Sequence, residues 1–269
     1  MEKIYLIVFF IFGAIISSFL CVIGFRLPQK IGFVKGSSRC DNCHHKLYFY
    51  EKIPILSYII QSGNCRYCKN KISIIIPVCE ILGATLFSMA FYRFGFSYNL
   101  IVALLIASLF IIVLVTDTRY FIIPDSILII FSILLIIVQF FNVGPKQLLI
   151  HILTGIGLFL VMYLIMIFGE KIFKKESLGG ADVKLLFLFG LVLDPIMGIV
   201  TIFLASIVAL PVSLIVLVKN KTNMIPFGPF LISALIFLFY SSITMDQIIH
   251  FLVWENLIFS FFLYFFVVI

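Results

Sequence analysis

Acidic side chains at the ends of long apolar runs are the first candidates for chemistry in this sequence. Asp117 ends one such run, Asp125 begins the next, and Asp182 begins a later one. A carboxylate inside a membrane span is costly and therefore marks a functional site by default. Two carboxylates a few ångströms apart cannot both ionise easily, so one can activate water while the other protonates a leaving group. Asp117 and Asp182 are the candidate pair for such an acid–base reaction.

The other acidic residues near apolar runs have structural explanations as well as functional ones. Asp125 follows an Ile-Pro pair and suits the N-cap of a helix, and Asp194 precedes Pro195 and suits a turn. Glu80 either supports the reaction, pairs with a basic residue or lines a polar cavity. Proton relays and ion sites in transporters use the same residue types. The carboxylates alone therefore do not separate a peptidase from a transporter.

Two glycines, Gly179 and Gly180, stand shortly before Asp182. Glycine allows close backbone approach and positive φ, so a substrate strand could lie beside Asp182. Asp182 would open a helix, where the helix dipole favours a negative charge. If Ala181, which lies between these glycines and Asp182, also needed a positive φ, its side chain would cost roughly 1–2 kcal/mol. Lys184 is a further supporting candidate in the same segment.

Two Cys-x-x-Cys pairs form the second candidate site, made of Cys40, Cys43, Cys65 and Cys68. Each pair can place two thiolates on one tetrahedral ion at ~2.3 Å, and together they complete four ligands. This pattern indicates a structural zinc ribbon. The alternatives are two disulfides or free thiols, and a reducing cytosol argues against disulfides. Cys21 and Cys79 lie in apolar runs and are expected to be small buried hydrophobic residues.

The elements that must carry these residues are membrane helices. Hydrophobic residues make up 63% of the 269 positions and charged residues 12%, whereas a soluble domain is roughly half apolar and about a quarter charged. The apolar runs are long enough to cross ~30 Å of hydrocarbon as helices and do not alternate as barrel strands do. The sequence predicts an all-α polytopic integral membrane protein with eight or nine spans. They lie near 4–25, 72–92, 99–117, 124–141, 148–168, 183–194, 196–218, 228–245 and 248–268, with 183–194 short enough to be re-entrant.

The basic residues predict the orientation of these spans. Three units are expected: a first span at 1–25, a cytoplasmic zinc-ribbon-like insertion at 26–71 and a helical membrane domain at 72–269. With the insertion inside, sixteen of the 19 Lys and Arg residues fall on the cytoplasmic side, as the positive-inside rule requires. The N-terminus is then outside, and Asp117 and Asp182 lie at cytoplasmic ends of spans. The net charge of +7 therefore indicates a lipid bilayer as partner and not nucleic acid.

Several motifs in order make nearly the whole chain resemble the type IV prepilin peptidases, the bifunctional leader peptidases and N-methyltransferases of pilus, secretion and competence systems. They are Ser38-Arg39-Cys40-Asp41-Asn42-Cys43, Gly63-Asn64-Cys65-Arg66-Tyr67-Cys68, Pro77-Val78-Cys79-Glu80, Ile123-Pro124-Asp125 after Asp117, Gly179-Gly180-Ala181-Asp182-Val183-Lys184-Leu185 and Ile225-Pro226-Phe227-Gly228-Pro229. The strict pattern has glycine where this chain has Ala181.

The resemblance implies an intramembrane aspartic endopeptidase whose catalytic pair falls on Asp117 and Asp182. It implies removal of the short basic leader of prepilins or pseudopilins after a glycine, at the cytoplasmic face of the bacterial plasma membrane. It also implies N-methylation of the new N-terminus with S-adenosylmethionine. Because no glycine-rich fingerprint for that co-substrate is present, a peptidase without methyltransferase activity is an alternative. A transporter with a zinc-braced cap is another, although it predicts a charge near mid-span.

Overall fold

The computed structural model describes residues 2–32, 39–40, 42–173, 179–220, 225–241 and 247. In these residues the regular elements are helical, with two isolated β-bridges. The helices are α1 (Glu2–Arg26), a 3₁₀ turn (Phe49–Lys52), α2 (Leu56–Ile60), α3 (Ile75–Phe94), α4 (Tyr98–Tyr120), α5 (Asp125–Phe173), α6 (Gly180–Val192), α7 (Pro195–Asn220) and α8 (Gly228–Ser241). The prediction of an all-helical protein is confirmed for this part of the chain.

Five of these helices, α1, α3, α4, α5 and α7, are long and apolar enough to cross a membrane. Helix α8 is apolar but shorter, and α6 has only 13 residues, as expected for the short segment at 183–194. The predicted total of eight or nine spans is not established by these helices. The last predicted span, 248–268, lies outside the described residues, as do positions 242–245 of the preceding one.

Two predicted breaks in the helices can be compared with the structure. Helix α6 ends at Val192 and α7 begins at Pro195, so the predicted turn at Asp194 is confirmed; its carbonyl accepts a hydrogen bond from the N–H of Gly198 at 2.9 Å. The spans predicted at 124–141 and 148–168 correspond to the two halves of α5, which are two helices joined at a kink. Only Gly144 is non-helical in it (φ 79°, ψ 170°), immediately before Pro145, so one residue separates the two halves.

Helix α4 lies at the centre of the bundle and packs against α1, α3, α5 and α8. Small residues set the closest helix approaches, as is usual where lipid-facing helices associate. Between α1 and α3, a Cβ added at Gly83 would lie 1.5 Å from Oγ of Ser17. Between α5 and α6, a Cβ at Gly190 would lie 2.3 Å from the backbone of Gly155. Alanine at either glycine would force these helices apart.

The C-terminal end of α4 lies beside the cysteine-rich segment that joins α1 to α3. Tyr120 donates a hydrogen bond to the carbonyl of Phe25 at 3.2 Å, and Arg119 donates to Oγ of Ser73 at 2.8 Å. Phe25 is near the end of α1, and Ser73 shortly precedes α3. The carboxylate of Asp117 and the cysteine-rich segment are therefore at the same end of the bundle.

Candidate active site and metal centre

Asp117 is placed in the last turn of α4 and is only 7% exposed. The helix ends at Tyr120. The next residue, Phe121, adopts a left-handed conformation (φ 54°) and donates its N–H to the carbonyl of Asp117 at 3.0 Å. The carboxylate itself accepts a hydrogen bond at Oδ2 from the backbone N–H of Gly228, 2.9 Å away. This buried carboxylate is thus fixed by a backbone donor from the start of α8.

Gly228 approaches Asp117 so closely that a side chain at residue 228 would push its neighbours back by a few tenths of an ångström. A Cβ added at Gly228 would lie 3.0 Å from Oδ2 of Asp117, from Cδ1 of Ile123 and from Cγ1 of Val113. In the sequence, Gly228 stands out only as part of the motif Ile225-Pro226-Phe227-Gly228-Pro229. Its contact with Asp117 could not be predicted, because the two residues are 111 positions apart.

Asp182 lies in the first turn of α6 and is half-buried. It is near enough to Asp117 for the two negative charges to repel each other. Helix α8 contacts both α4 and α6 and so packs against the helix of each carboxylate. Both carboxylates, 65 positions apart in the sequence, are therefore carried by helices that pack against α8, and each lies within electrostatic reach of the other.

Neither glycine before Asp182 adopts the positive φ that the sequence suggested, and only Gly179 serves close packing. Gly179 has φ −66° and ψ 123°, and a Cβ on it would lie 2.9 Å from Oδ2 of Asp182. Gly180 has open space at that position, and it begins α6. Ala181 is helical and is not among the residues with positive φ. Alanine is therefore accommodated at residue 181 without strain, because this segment already follows the helical path.

Asp125 and Lys184 form an ion pair beside these carboxylates. Nζ of Lys184 lies 2.7 Å from Oδ1 of Asp125, and the two side chains are 49% and 63% exposed. Asp125 was predicted as the N-cap of a helix. It is instead the first helical residue of α5, and Pro124 precedes it at the N-cap position. The pair links the starts of α5 and α6.

Glu80 is buried in α3, with 5% exposure, and connects the cysteine-rich segment to the membrane helices. Its Oε2 accepts a hydrogen bond from the N–H of Ile55 at 2.7 Å. The Ser18 side chain, on α1, is a second hydrogen-bond partner. Of the roles considered for Glu80, these contacts favour support of the structure over direct chemistry.

The four cysteines of the tetrad converge on one point. Their sulfurs all lie within 4.8 Å of one another, with Cys40 and Cys68 3.8 Å apart and Cys43 and Cys65 4.0 Å apart. A tetrahedral ion with ~2.3 Å bonds to sulfur needs ligand sulfurs about 3.8 Å apart. Disulfides would need S–S distances of ~2.05 Å, and all six cysteines are free. The site therefore fits a zinc ion, and the disulfide alternative is not supported.

The two Cys-x-x-Cys turns repeat the same backbone pattern. The N–H of Cys40 donates to the carbonyl of His45, and that of Cys65 to the carbonyl of Asn70. One residue before each acceptor, His44 (φ 55°) and Lys69 (φ 58°) adopt the left-handed conformation. Such turns aim N–H groups at the sulfurs, which favours thiolates and hence metal binding.

One thiol of the tetrad shows this effect directly. The backbone N–H of Asn70, followed by the side chain of Asn42, lowers the pKa of the Cys68 thiol to about 6. Beside the tetrad, the ring of His45 packs against that of Tyr67, with centroids 3.6 Å apart and planes tilted by 33°. Outside the tetrad, Cys21 and Cys79 are 1% and 0% exposed, which confirms them as buried.

Two family models match the chain. The model described as the bacterial peptidase A24 N-terminal domain matches residues 11–94, and that of the type IV leader peptidase family matches residues 104–214. The first contains Glu80 and the cysteine tetrad, and the second contains Asp117, Asp125 and Asp182. Together they cover most of the chain.

Curated relatives named prepilin leader peptidase/N-methyltransferase are similar to this chain. The Bacillus subtilis protein is 42% identical over 46% of this chain and 50% of its own length. The Myxococcus xanthus protein is 33% identical over 67% of this chain and 54% of its own length. The match thus spans about half the length of these two relatives. The Vibrio cholerae protein is 28% identical over 90% of this chain and 98% of its own length. No solved structure gives a significant match.

Proposed function

The chain belongs to the type IV leader peptidase family, and we propose that it is an intramembrane aspartic endopeptidase acting on type IV prepilins or pseudopilins. The observation that carries this proposal is the convergence of Asp117 and Asp182, with the N–H of Gly228 fixed on Asp117. The expected cleavage follows a glycine, between the basic leader and the apolar helix of the substrate.

In the proposed reaction, Asp117 and Asp182 share a proton and hold the attacking water. Because Oδ2 of Asp117 already accepts the N–H of Gly228, Oδ1 of Asp117 is the oxygen better placed to carry the shared proton. One carboxylate takes a proton from the water, and the water oxygen bonds to the scissile carbonyl carbon. The other gives a proton to the nitrogen of the leaving amine as the carbon–nitrogen bond breaks.

Supporting residues position these two carboxylates. Gly179 leaves room for the carboxylate of Asp182, and Gly228 leaves room for that of Asp117. Lys184 and Asp125 join the starts of α5 and α6. Glu80 holds the cysteine-rich segment against α1 and α3 through Ser18 and Ile55. We assign none of these supporting residues a proton-transfer role.

The proposed organisation places the site at the cytoplasmic face of the bacterial plasma membrane, with the N-terminus outside. Its three parts are a first span at 1–25, a zinc-ribbon-like domain at 26–71 and a peptidase domain at 72–269. The excess of basic residues around 26–71 supports this orientation. The four-cysteine cluster supports one structural zinc, held by Cys40, Cys43, Cys65 and Cys68, which would keep this small segment folded.

We also propose that the protein N-methylates the new N-terminus with S-adenosylmethionine as co-substrate, as the names of its relatives suggest. Intact-mass analysis of a purified prepilin after incubation tests both activities separately. Loss of the leader mass reports the peptidase, and gain of one methyl group on the shortened product, dependent on the co-substrate, reports the transferase. Leader loss without methyl gain would leave the peptidase alone. An unchanged prepilin mass, with the protein folded, would overturn the proposal and favour the transporter.

A further inference from the structure

The short helix α2 carries large apolar side chains on its outer face. Leu56, Ile59 and Ile60 are 56%, 65% and 79% exposed. On the inner face Tyr58 is half-buried, and its ring and hydroxyl lie against Gly63. Large apolar patches on a protein surface mark sites that contact a partner or a membrane.

The position of α2 relative to the membrane helices is set by Ile55, which directly precedes it. The N–H of Ile55 donates to Glu80, the sixth residue of α3, at 2.7 Å. At ~1.5 Å per residue, Glu80 lies about 7 Å beyond the start of that helix. Its side chain leans back towards the helix start. Ile55 therefore lies beside the first turns of a membrane-spanning helix, and α2 begins at the next residue.

The backbone at Ile55 holds this arrangement in place. Ile55 adopts φ 65° and ψ −54°, and the N–H of Leu56 donates to the carbonyl of Pro54 at 2.6 Å. This is a γ-turn, a rare and strained conformation for a β-branched residue. Such conformations persist where the surroundings determine them. The buried carboxylate of Glu80, which also bonds Ser18, provides this constraint.

The charges near α2 match an anionic membrane surface. Exposed lysines of the same segment are Lys46, Lys52, Lys69 and Lys71. The acidic residue Glu51 is 7% exposed and accepts the N–H of Tyr48. An apolar face flanked by Lys and Arg is the pattern of elements that lie in a bilayer interface. The same charges disfavour a basic peptide as the occupant of this face.

We propose that α2 lies in the bilayer interface, with Leu56, Ile59 and Ile60 among the lipid chains and the neighbouring lysines at anionic headgroups. The cysteine-rich segment is then attached to the membrane surface by its own apolar helix as well as by α1 and α3. This interaction does not depend on the proposed peptidase activity.

Quenching of tryptophan fluorescence by brominated lipids tests this placement. The full chain would carry Trp254→Phe, which removes its single tryptophan, and then Ile60→Trp or, separately, Ile59→Trp. Each is reconstituted in nanodiscs of phosphatidylcholine and phosphatidylglycerol brominated near the headgroup end of the acyl chains. Met89→Trp, on the exposed face of α3, is the lipid-facing control. Arg66→Trp, in a cysteine turn, is the water-facing control.

For a side chain ~5–10 Å into the headgroup boundary, we expect Ile60→Trp and Ile59→Trp to be quenched at least about twofold more than Arg66→Trp. Quenching no greater than that of Arg66→Trp for both positions would overturn the proposal. If the quenching by brominated lipid is weak and adding a prepilin lowers it further, the proposal would also be overturned, since the face would then bind substrate.

Discussion

The backbone N–H of Gly228 donates a hydrogen bond to Oδ2 of Asp117 over 2.9 Å and fixes one carboxylate of the candidate pair. The contact joins the end of α4 to the start of α8, and a side chain at residue 228 would crowd it. It explains why a glycine stands at this point of the sequence. It also makes the position of the Asp117 carboxylate sensitive to changes at a residue far away in the chain.

Gly228→Ala tests this contact. The added Cβ would lie 3.0 Å from Oδ2 of Asp117, so the carboxylate must move. Displacement by about 1 Å can cost on the order of 10²-fold in rate. Because the shift needed at Gly228 is a few tenths of an ångström, we expect prepilin cleavage to slow by about threefold to tenfold. Gly157→Ala, which has open space at its Cβ position, is the matched control and should cleave at the wild-type rate. Equal rates for both variants would contradict the account.

Gly179→Ala and Gly180→Ala form a second matched pair. A Cβ at Gly179 would lie 2.9 Å from Oδ2 of Asp182, whereas nothing lies within 4 Å of one at Gly180. We expect Gly179→Ala to reduce the cleavage rate by about tenfold or more, for the same reason of displaced geometry. Gly180→Ala should keep nearly full activity, and a larger loss at residue 180 than at 179 would refute the assignment.

The ion pair between Lys184 and Asp125 is expected to make a small contribution. Both side chains are about half exposed or more, and exposed pairs contribute ~0.2–1 kcal/mol. A double-mutant cycle with Asp125→Ala and Lys184→Ala, measured by cleavage rate and by thermal unfolding, should give a coupling energy in this range. Loss of all cleavage in Asp125→Asn would show instead that Asp125 takes part in the chemistry.

The cysteine tetrad should hold one zinc per chain, measured by plasma mass spectrometry on purified protein. Cys43→Ser should lower the zinc content by at least about half and increase proteolysis of the 39–73 segment, because metal binding and folding are coupled in small metal sites. Cys21→Ala, a buried cysteine outside the tetrad, should keep its zinc. Acidification should release the metal as the thiolates take up protons. A full zinc content in Cys43→Ser would exclude a four-cysteine site.

Local patterns in the sequence were sufficient for the helices and for the candidate residues. Apolar runs predicted α1, α3 and α4 to within a few residues, and Asp194-Pro195 predicted the break before α7. The Cys-x-x-Cys spacing predicted the tetrad because each pair is a local turn. Side-chain type and position made Asp117 and Asp182 candidates, and the family resemblance assigned them the catalytic role.

Contacts between distant segments could not be predicted in this way. The bond from Gly228 to Asp117 and that from Ile55 to Glu80 depend on how helices pack. Packing in turn depends on small residues such as Gly83 and Gly190, whose partners no local pattern specifies. Positive φ was expected near Asp182, yet glycine is needed at 179 for space.

The most direct test of the proposed function is cleavage of a prepilin in membranes by wild type, Asp117→Asn and Asp182→Asn. Protein levels are matched, and retained zinc serves as the measure of folding. Because positioned acid–base groups contribute ~10²–10⁴-fold, we predict that each single substitution lowers the cleavage rate by at least about 100-fold. Near-wild-type cleavage by either folded variant would contradict the two-aspartate mechanism.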